Sequence, residues 1–225
     1  MPLNPAFALG LEGLGLAFTE EAIAPFDEFE ERLYHANQSK NYTRVAREEC
    51  YLRHFLDSLL FHDLIPQGAS VLDIGTGPGF PAWPLAVARP DLTVTAIDSN
   101  GKMLDFLRLN PLPNLRVKQM RAEEWPEREA FDCVTGRAVA PLSIQLEISA
   151  PLTKIGGTII SLRSENETEA FDRHEIRELG IKLVKVEVRA LPGTDIIRHF
   201  PVYEKTKSSP VRYPRSWSDI KKKPL

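Results

Sequence analysis

The sequence predicts an α/β protein: a seven-stranded, mainly parallel sheet with an antiparallel edge strand, preceded by a helical N-terminal extension. Three observations predict it. Short apolar or alternating runs separated by Gly, Pro and Asn begin at Ser70; helical periodicity recurs between them; and the first run ends in the turn Gly75-Thr76-Gly77-Pro78-Gly79. The chain has 225 residues, 43% hydrophobic and 26% charged, enough for one full-sized domain with a small extension and a sizeable core.

Residues 1–66 read as the helical extension. Thr19 can cap a helix whose first turn carries Glu20 and Glu21, acids well placed against the positive end of the helix dipole. Ala22, Phe26, Phe29, Leu33 and Ala36 then recur at helical spacing and form one apolar stripe. Pro25 lies too deep for a first-turn proline and predicts a kink or a later start. A second helix presents Leu52, Phe55, Leu56, Leu59 and Leu60 on one face, with His54 and Asp57 at its margin. A helix with such a face must dock, so His54 and Asp57 read more readily as capping or interhelical hydrogen-bond groups than as catalytic ones.

Residues 67–205 read as the core. Strands are expected at Ser70 to Ile74, Leu92 to Ile97, Leu115 to Met120, Phe131 to Thr135, Thr158 to Leu162, Lys182 to Arg189 and Phe200 to Glu204. Helices fit after Asp98 (Met103, Phe106, Leu107), after Arg137 (Leu142, Leu146) and around Glu167 to Leu179. Such alternation implies parallel strands with right-handed crossovers. The last two strands are joined across Pro192 and Gly193 and read as an antiparallel pair at one edge. Residues 206–225 form a basic, aromatic tail: with Lys205, the residues Lys207, Arg212, Arg215, Lys221, Lys222 and Lys223 face only Asp219, Tyr213 and Trp217 are interleaved, and little is left to form a core.

A net charge of −3 and a pI near 6.0 argue against capture of nucleic acid by the whole surface and leave room for a local basic patch. Cys50 and Cys133 are the two cysteines, and Cys133 lies in an apolar run, which suits a reducing cytoplasm. The first basic residue is Arg32, so no positive segment opens a secretory signal, and no apolar run approaches a membrane span; a cytoplasmic protein without membrane contact is expected.

The glycine turn carries the chemistry. Open parallel sheets bind ligands beyond the carboxyl ends of their strands, and glycines there let the backbone turn tightly and approach a ligand. Asp98 follows 23 residues after Gly75, at the end of the second strand, where an acid meets ribose hydroxyls, so an adenosine-containing ligand is expected. A nicotinamide dinucleotide site also uses a glycine turn and an acid. Its fingerprint, however, wants a glycine where this chain has Phe80, flanked by Pro78 and Pro81. Asp73, two residues before the first glycine, would repel phosphates and suit the amino group of a methionine moiety. S-adenosylmethionine is therefore favoured over the dinucleotide and over a purely structural strand-to-helix turn.

Several stretches, spread over nearly the whole chain, resemble the bacterial small-subunit ribosomal RNA guanine-N7 methyltransferases, the family also called glucose-inhibited division protein B. They are Asn41-Tyr42-Thr43-Arg44, His54-Phe55-Leu56-Asp57-Ser58, Gly79-Phe80-Pro81-Ala82-Trp83-Pro84-Leu85, Asp98-Ser99-Asn100-Gly101-Lys102, Arg121-Ala122-Glu123-Glu124, Arg137-Ala138, and the tail motifs Tyr213-Pro214-Arg215 and Lys222-Lys223-Pro224-Leu225. The glycine turn alone indicates only a methyltransferase; its proline-punctuated continuation and the order of the later motifs are more specific. Three positions depart from the pattern: Ala82 replaces a glycine, Gly136 stands where serine is common, and Arg163-Ser164 stands where Lys-Gly is expected, which puts the loop geometry after the fifth strand in doubt.

The resemblance implies a Rossmann-like class I methyltransferase that uses S-adenosyl-L-methionine, releases S-adenosyl-L-homocysteine, needs no metal, and acts as a monomer on small-subunit ribosomal RNA or the small ribosomal subunit, at N7 of guanine 527. It places Gly75 and Phe80 at the methionine end, Asp98 at the ribose, Ala122 and Glu123 at the adenine, and Arg137 at the pocket floor or substrate entrance. The candidate cofactor residues are thus Asp73, Gly75, Gly77, Gly79, Phe80, Asp98, Ser99, Asn100, Ala122, Glu123 and Arg137. Candidate RNA contacts are Arg163, Arg198, His199, Arg212, Tyr213, Arg215, Lys221, Lys222 and Lys223. Guanine N7 has an in-plane lone pair and no proton, so in-line displacement needs no general base and no catalytic residue is assigned beyond Arg137 as a positioning group. The bland readings stay open beside these: Arg137 paired with Asp73 or Glu123, Arg198 and His199 as a polar hairpin end, and the tail as a solvated terminus. Two rival functions also remain, a small-molecule methyltransferase on the same fold and a non-catalytic ribosome-assembly factor that keeps the cofactor turn.

Overall fold

The computed structural model describes residues 4–16, 19–137, 139–164 and 174–225. Helix α1 (Pro5–Gly13) is capped by Asn4, whose side chain accepts from the Ala6 and Phe7 amides. Helix α2 (Glu20–Asn37) starts where its acids predict and continues through Pro25, so the later start is not found. Pro25 sits one and a half turns in, and the carbonyl it leaves without a donor belongs to exposed Glu21, where water can serve. The second predicted helix is a π-helical stretch, Tyr51–Leu56, running into α3 (Asp57–Leu59), and it buries every residue from His54 to Leu60.

The core follows as β1 (Ser70–Ile74), α4 (Ala82–Ala88), β2 (Thr93–Asp98), α5 (Gly101–Arg108), β3 (Leu115–Gln119), β4 (Phe131–Arg137), α6 (Leu142–Ser149), β5 (Thr153–Ser164), α7 (His174–Glu178), β6 (Ile181–Ala190), β7 (Ile197–Lys205) and α8 (Trp217–Lys222). The seven predicted strands are all present, in the order β3-β2-β1-β4-β5-β7-β6. Strands β1 to β5 are parallel; β7 runs against both β5 and β6, so the reversed strand lies one place in from the edge and β6 is outermost. The order reverses between β1 and β4, and this switch point fixes where a ligand site can open. Of the helix predicted over Glu167 to Leu179, residues 174–179 lie within the described residues, and His174–Glu178 are helical. Ser164 continues β5, pairing with Arg198 without a positive φ, so the glycine it replaces is not required here.

Alternation along the strands sends neighbours to opposite faces. Val71, Cys133 and Ile160 join one core with the N-terminal helices, α4 and α5; Leu72, Val134 and Ile159 join the other with α6, α7 and the tail. The first is aromatic at its centre: Phe29 packs on Trp83 with ring centroids 4.1 Å apart and meets Phe55, Phe80 and Phe106 edge-on. Cys50 and Cys133 are buried, and burial pushes both thiols up to about 12, which leaves them as small apolar groups.

The tail corrects its expectation. Tyr213 and Ile220 are buried in the second core, and Lys205 is wholly enclosed, its Nζ donating to the Ala150 and Leu179 carbonyls and to Ser209 Oγ. Arg128 holds the segment from outside by donating to the carbonyls of Tyr213 (2.7 Å) and Ser209 (2.8 Å). The few apolar side chains of this stretch found no period of their own because their partners are on the sheet and α6.

Candidate functional site

The carboxyl ends of β1, β2 and β4 meet at the switch point. The amides of Gly75 and Thr76 both donate to the Ile97 carbonyl, at 2.8 and 3.0 Å, which ties the glycine turn to the end of β2. Gly77 has φ +58°, and a Cβ placed on it would meet nothing within 4 Å, so bare backbone faces open space. Asp98 accepts from the Gly77 amide (2.9 Å) through one oxygen and from the Asn100 amide (2.8 Å) through the other, while Asn100 caps α5. The acid thereby shapes the turn as well as lining it.

A cleft of about 320 Å³ opens here, lined by Ile74, Gly75, Ile97, Asp98, Ser99, Met120, Arg121, Ala122, Glu123, Val139, Ile148 and Trp217. Of the sequence-predicted cofactor residues it brings together Gly75, Asp98, Ser99, Ala122 and Glu123. Asp73, Gly77, Gly79, Phe80, Asn100 and Arg137 lie outside that lining. Glu123 is almost enclosed, and its Oε1 accepts no hydrogen bond; Arg121 Nε lies 3.4 Å away, a contact of charges without hydrogen-bond geometry. That oxygen is a buried acceptor without a hydrogen bond at the cleft wall.

Asp73 stands behind the turn, fully buried. One oxygen accepts from the Ala82 amide at 3.2 Å, so the alanine that departs from the family pattern supplies its backbone without cost; the other has no hydrogen bond of good geometry, and the buried Thr76 hydroxyl is its neighbour. Burial pushes this carboxyl up to about 7. A buried, half-satisfied carboxyl is what an ammonium group would complete. The second departure also fits: a Cβ on Gly136 would stand 2.9 Å from Gln145 Nε2 and from Val139 Cγ2 and 3.0 Å from the Ile74 carbonyl, so a serine would need these neighbours to shift.

A second cluster flanks this site on the side of the N-terminal helices. Asp57, nearly buried, takes Arg137 Nη1 at 3.2 Å and Arg198 Nε at 2.7 Å, one on each oxygen. Arg137 thus pairs with neither Asp73 nor Glu123. His54 stacks flat on Phe80 (centroids 4.2 Å, planes 3° apart), with Arg137 Cζ 5.4 Å from the same ring. Its Nε2 lies 2.7 Å from Thr43 Oγ1 and its Nδ1 3.4 Å from Arg137 Nη2; a guanidinium can only donate, which assigns the proton to Nε2. Burial, then the charges of Arg137 and Arg53, push His54 down to about 3, so the ring is neutral at pH 7. His54 and Asp57 do serve as docking groups, but their partners are Thr43 in a loop, Arg137 on β4 and Arg198 on β7, so the helix meets the sheet through them and the capping and interhelical roles are not found. Phe80, occupied by His54 and Arg137, offers a ligand only its backbone.

The predicted RNA contacts separate. Arg163 is 2% exposed and donates to the Ala140 carbonyl and Gln145 Oε1, so it is not presented to RNA. Tyr213 is in the core, and Arg215 is spent on buried Glu147, another correction. Arg212 pairs with Glu178 at the surface, Arg198 with Asp57, and His199 sits in the β7 ladder opposite Arg163. Lys221, Lys222 and Lys223 are exposed. Sequence reasoning missed Trp217 and Arg121 in the cleft; the aromatic character of the tail was visible, its destination was not. Among the described residues no helix is long and apolar enough to cross a membrane, and no three His, Cys, Asp or Glu side chains converge as a metal site would need.

The family model described as rRNA small subunit methyltransferase G matches residues 22–199. The chain is 37% identical to the ribosomal RNA small subunit methyltransferase G of Lactobacillus johnsonii, over 99% of this chain and 100% of that one. It is also 37% identical to the protein of the same name from Lactiplantibacillus plantarum, over 99% and 98%. Among solved structures it resembles M. jannaschii TYW2 in complex with AdoMet (TM-score 0.52, 21% identity, 66% of this chain and 74% of that one). It also resembles the 1,6-didemethyltoxoflavin-N1-methyltransferase of Burkholderia thailandensis with bound S-adenosylhomocysteine (TM-score 0.53, 17% identity, 85% and 92%). The fold is that of these methyltransferases.

Proposed function

The chain belongs to the rRNA small subunit methyltransferase G family, and on that premise we propose that it methylates N7 of a guanine in small-subunit ribosomal RNA, guanine 527, with S-adenosylmethionine as donor. One observation carries the cofactor reading: the glycine turn at Gly75, the acid Asp98 at the end of β2 and the acid Glu123 after β3 line one cleft. Asp73 would take the ammonium, Asp98 the ribose hydroxyls, and Glu123 the adenine amino group.

S-adenosylmethionine, when bound, would supply a sulfonium methyl carbon open to in-line attack by the N7 lone pair, with the S–CH₃ bonding pair leaving on sulfur. No proton is removed, so the residues have mainly to orient and to hold charge. Arg137 and Arg198, both fixed by Asp57 and partly exposed, would suit the phosphates or the carbonyl of an incoming nucleotide. Neutral His54 keeps Phe80, and through it the turn, in place.

The experiment is transfer of radioactive methyl to small ribosomal subunits, to free ribosomal RNA and to nucleosides, with the product base mapped. Incorporation at one N7-methylguanosine of the small-subunit RNA is expected. Tight cofactor binding with no transfer to RNA would favour an assembly factor, and transfer to nucleosides alone a small-molecule enzyme.

A further inference from the structure

We propose that Trp217, carried by the tail, is a cofactor-binding residue whose indole forms the outer wall of the adenine subsite. The inference rests on the cofactor reading above and adds to it a residue from a segment that the sequence assigns to RNA. Trp217 lines the same cleft as Ala122 and Glu123. The Arg121 guanidinium lies over its ring, Cζ 4.8 Å from the centroid, and the same arginine reaches Glu123 at 3.4 Å. Glu123, Arg121 and Trp217 are therefore one connected wall: an acceptor without a hydrogen bond, a cation and an aromatic surface. A flat heteroaromatic ring with an exocyclic amino group meets all three, the amino group at Glu123 Oε1 and the ring against the indole.

The indole is held, not merely nearby. Ser216 caps α8, accepting from the Asp219 amide and donating to its carboxylate at 2.6 Å; Ile220, on the same helix, is wholly buried. Before the helix, Arg215 is locked to Glu147 and Arg128 to the Tyr213 carbonyl. Such fixing on both sides of a partly exposed tryptophan gives a preorganised wall, which lowers the ordering cost of binding.

Calorimetric titration with S-adenosylhomocysteine, and separately with adenosine, tests this on the full chain and its Trp217→Ala and Trp217→Phe variants. Loss of the wall should weaken both ligands alike, by about tenfold for the alanine variant, while phenylalanine retains most of the affinity. In turnover the alanine variant should raise KM for the donor and leave kcat nearly unchanged, the mark of binding lost equally in ground and transition states. A merely structural role would lower the bound stoichiometry and leave the dissociation constant of the folded molecules unchanged, and that outcome overturns the proposal. So does affinity within twofold of wild type, or tighter binding, in Trp217→Ala. If the wild-type protein binds neither ligand, the cofactor reading itself fails and this inference with it.

Discussion

Arg215 grips both carboxylate oxygens of Glu147, at 2.7 and 2.5 Å, and Glu147 is completely buried in α6. Removing one partner of such a pair strands a charge without water. Arg215→Ala should therefore destabilise the protein by about 3–5 kcal/mol in urea unfolding, whereas the double variant Arg215→Met with Glu147→Leu should recover most of the loss. Equal stability of wild type and the single variant would show that the pair contributes nothing.

His54 gives an acid-side prediction. Its pKa falls from 6.5 in the unfolded chain to about 3 in the folded one, so between these values the unfolded chain binds a proton that the folded chain refuses. Stability from this group is complete above about pH 6.5 and is lost as the pH falls, by about 2 kcal/mol at pH 5. Asp73 works in the opposite sense, since its folded pKa is raised and its contribution fades as the pH rises towards 7. The difference between wild type and His54→Asn across that range isolates the histidine; parallel curves would rule out the buried neutral ring.

Affinity for S-adenosylhomocysteine should rise with pH through about 7, because Asp73 must lose its proton to pair with an ammonium. Below that pH each unit lower costs up to about tenfold in affinity, and Asp73→Asn should bind weakly with a flat profile. Titrations in matched buffers check it. A flat wild-type profile would detach Asp73 from the ligand.

RNA affinity is expected to depend on Lys221, Lys222 and Lys223, which are exposed and away from the core. Replacing all three with alanine should weaken RNA binding and reduce the slope of log K against log salt by about 0.7–0.9 for each phosphate that is no longer neutralised. Affinity for S-adenosylhomocysteine should not change. Deleting the tail after Lys207 is a poorer test, since it also removes Tyr213, Ile220 and Trp217.

What could be read in the sequence is what the chain determines locally. The glycine turn and Asp98 are joined by backbone amides a few residues apart or across one strand pair, so spacing alone located them. Asp57 is different: its partners lie 80 and 141 residues away, and no local pattern says that one carboxylate holds two arginines. Strand β5 begins five residues earlier than its apolar run, because Thr153 pairs with Phe131 of β4 and residues 154–157 bulge between that pair and the pair of Thr158 with Cys133. The tail looked like a run of charges because Tyr213 and Ile220 acquire their meaning only from α6 and the sheet.

The hold of Arg128 on the tail has a consequence for how this stretch can evolve. Its guanidinium takes main-chain carbonyls, of Ser209, Pro210 and Tyr213, and every amino acid offers that same acceptor. The exposed side chains of Val211 and Arg212 take no part in that hold, so it asks nothing of them. The letter that matters is the one 85 residues upstream of Tyr213, where one substitution takes away all three of these contacts at once.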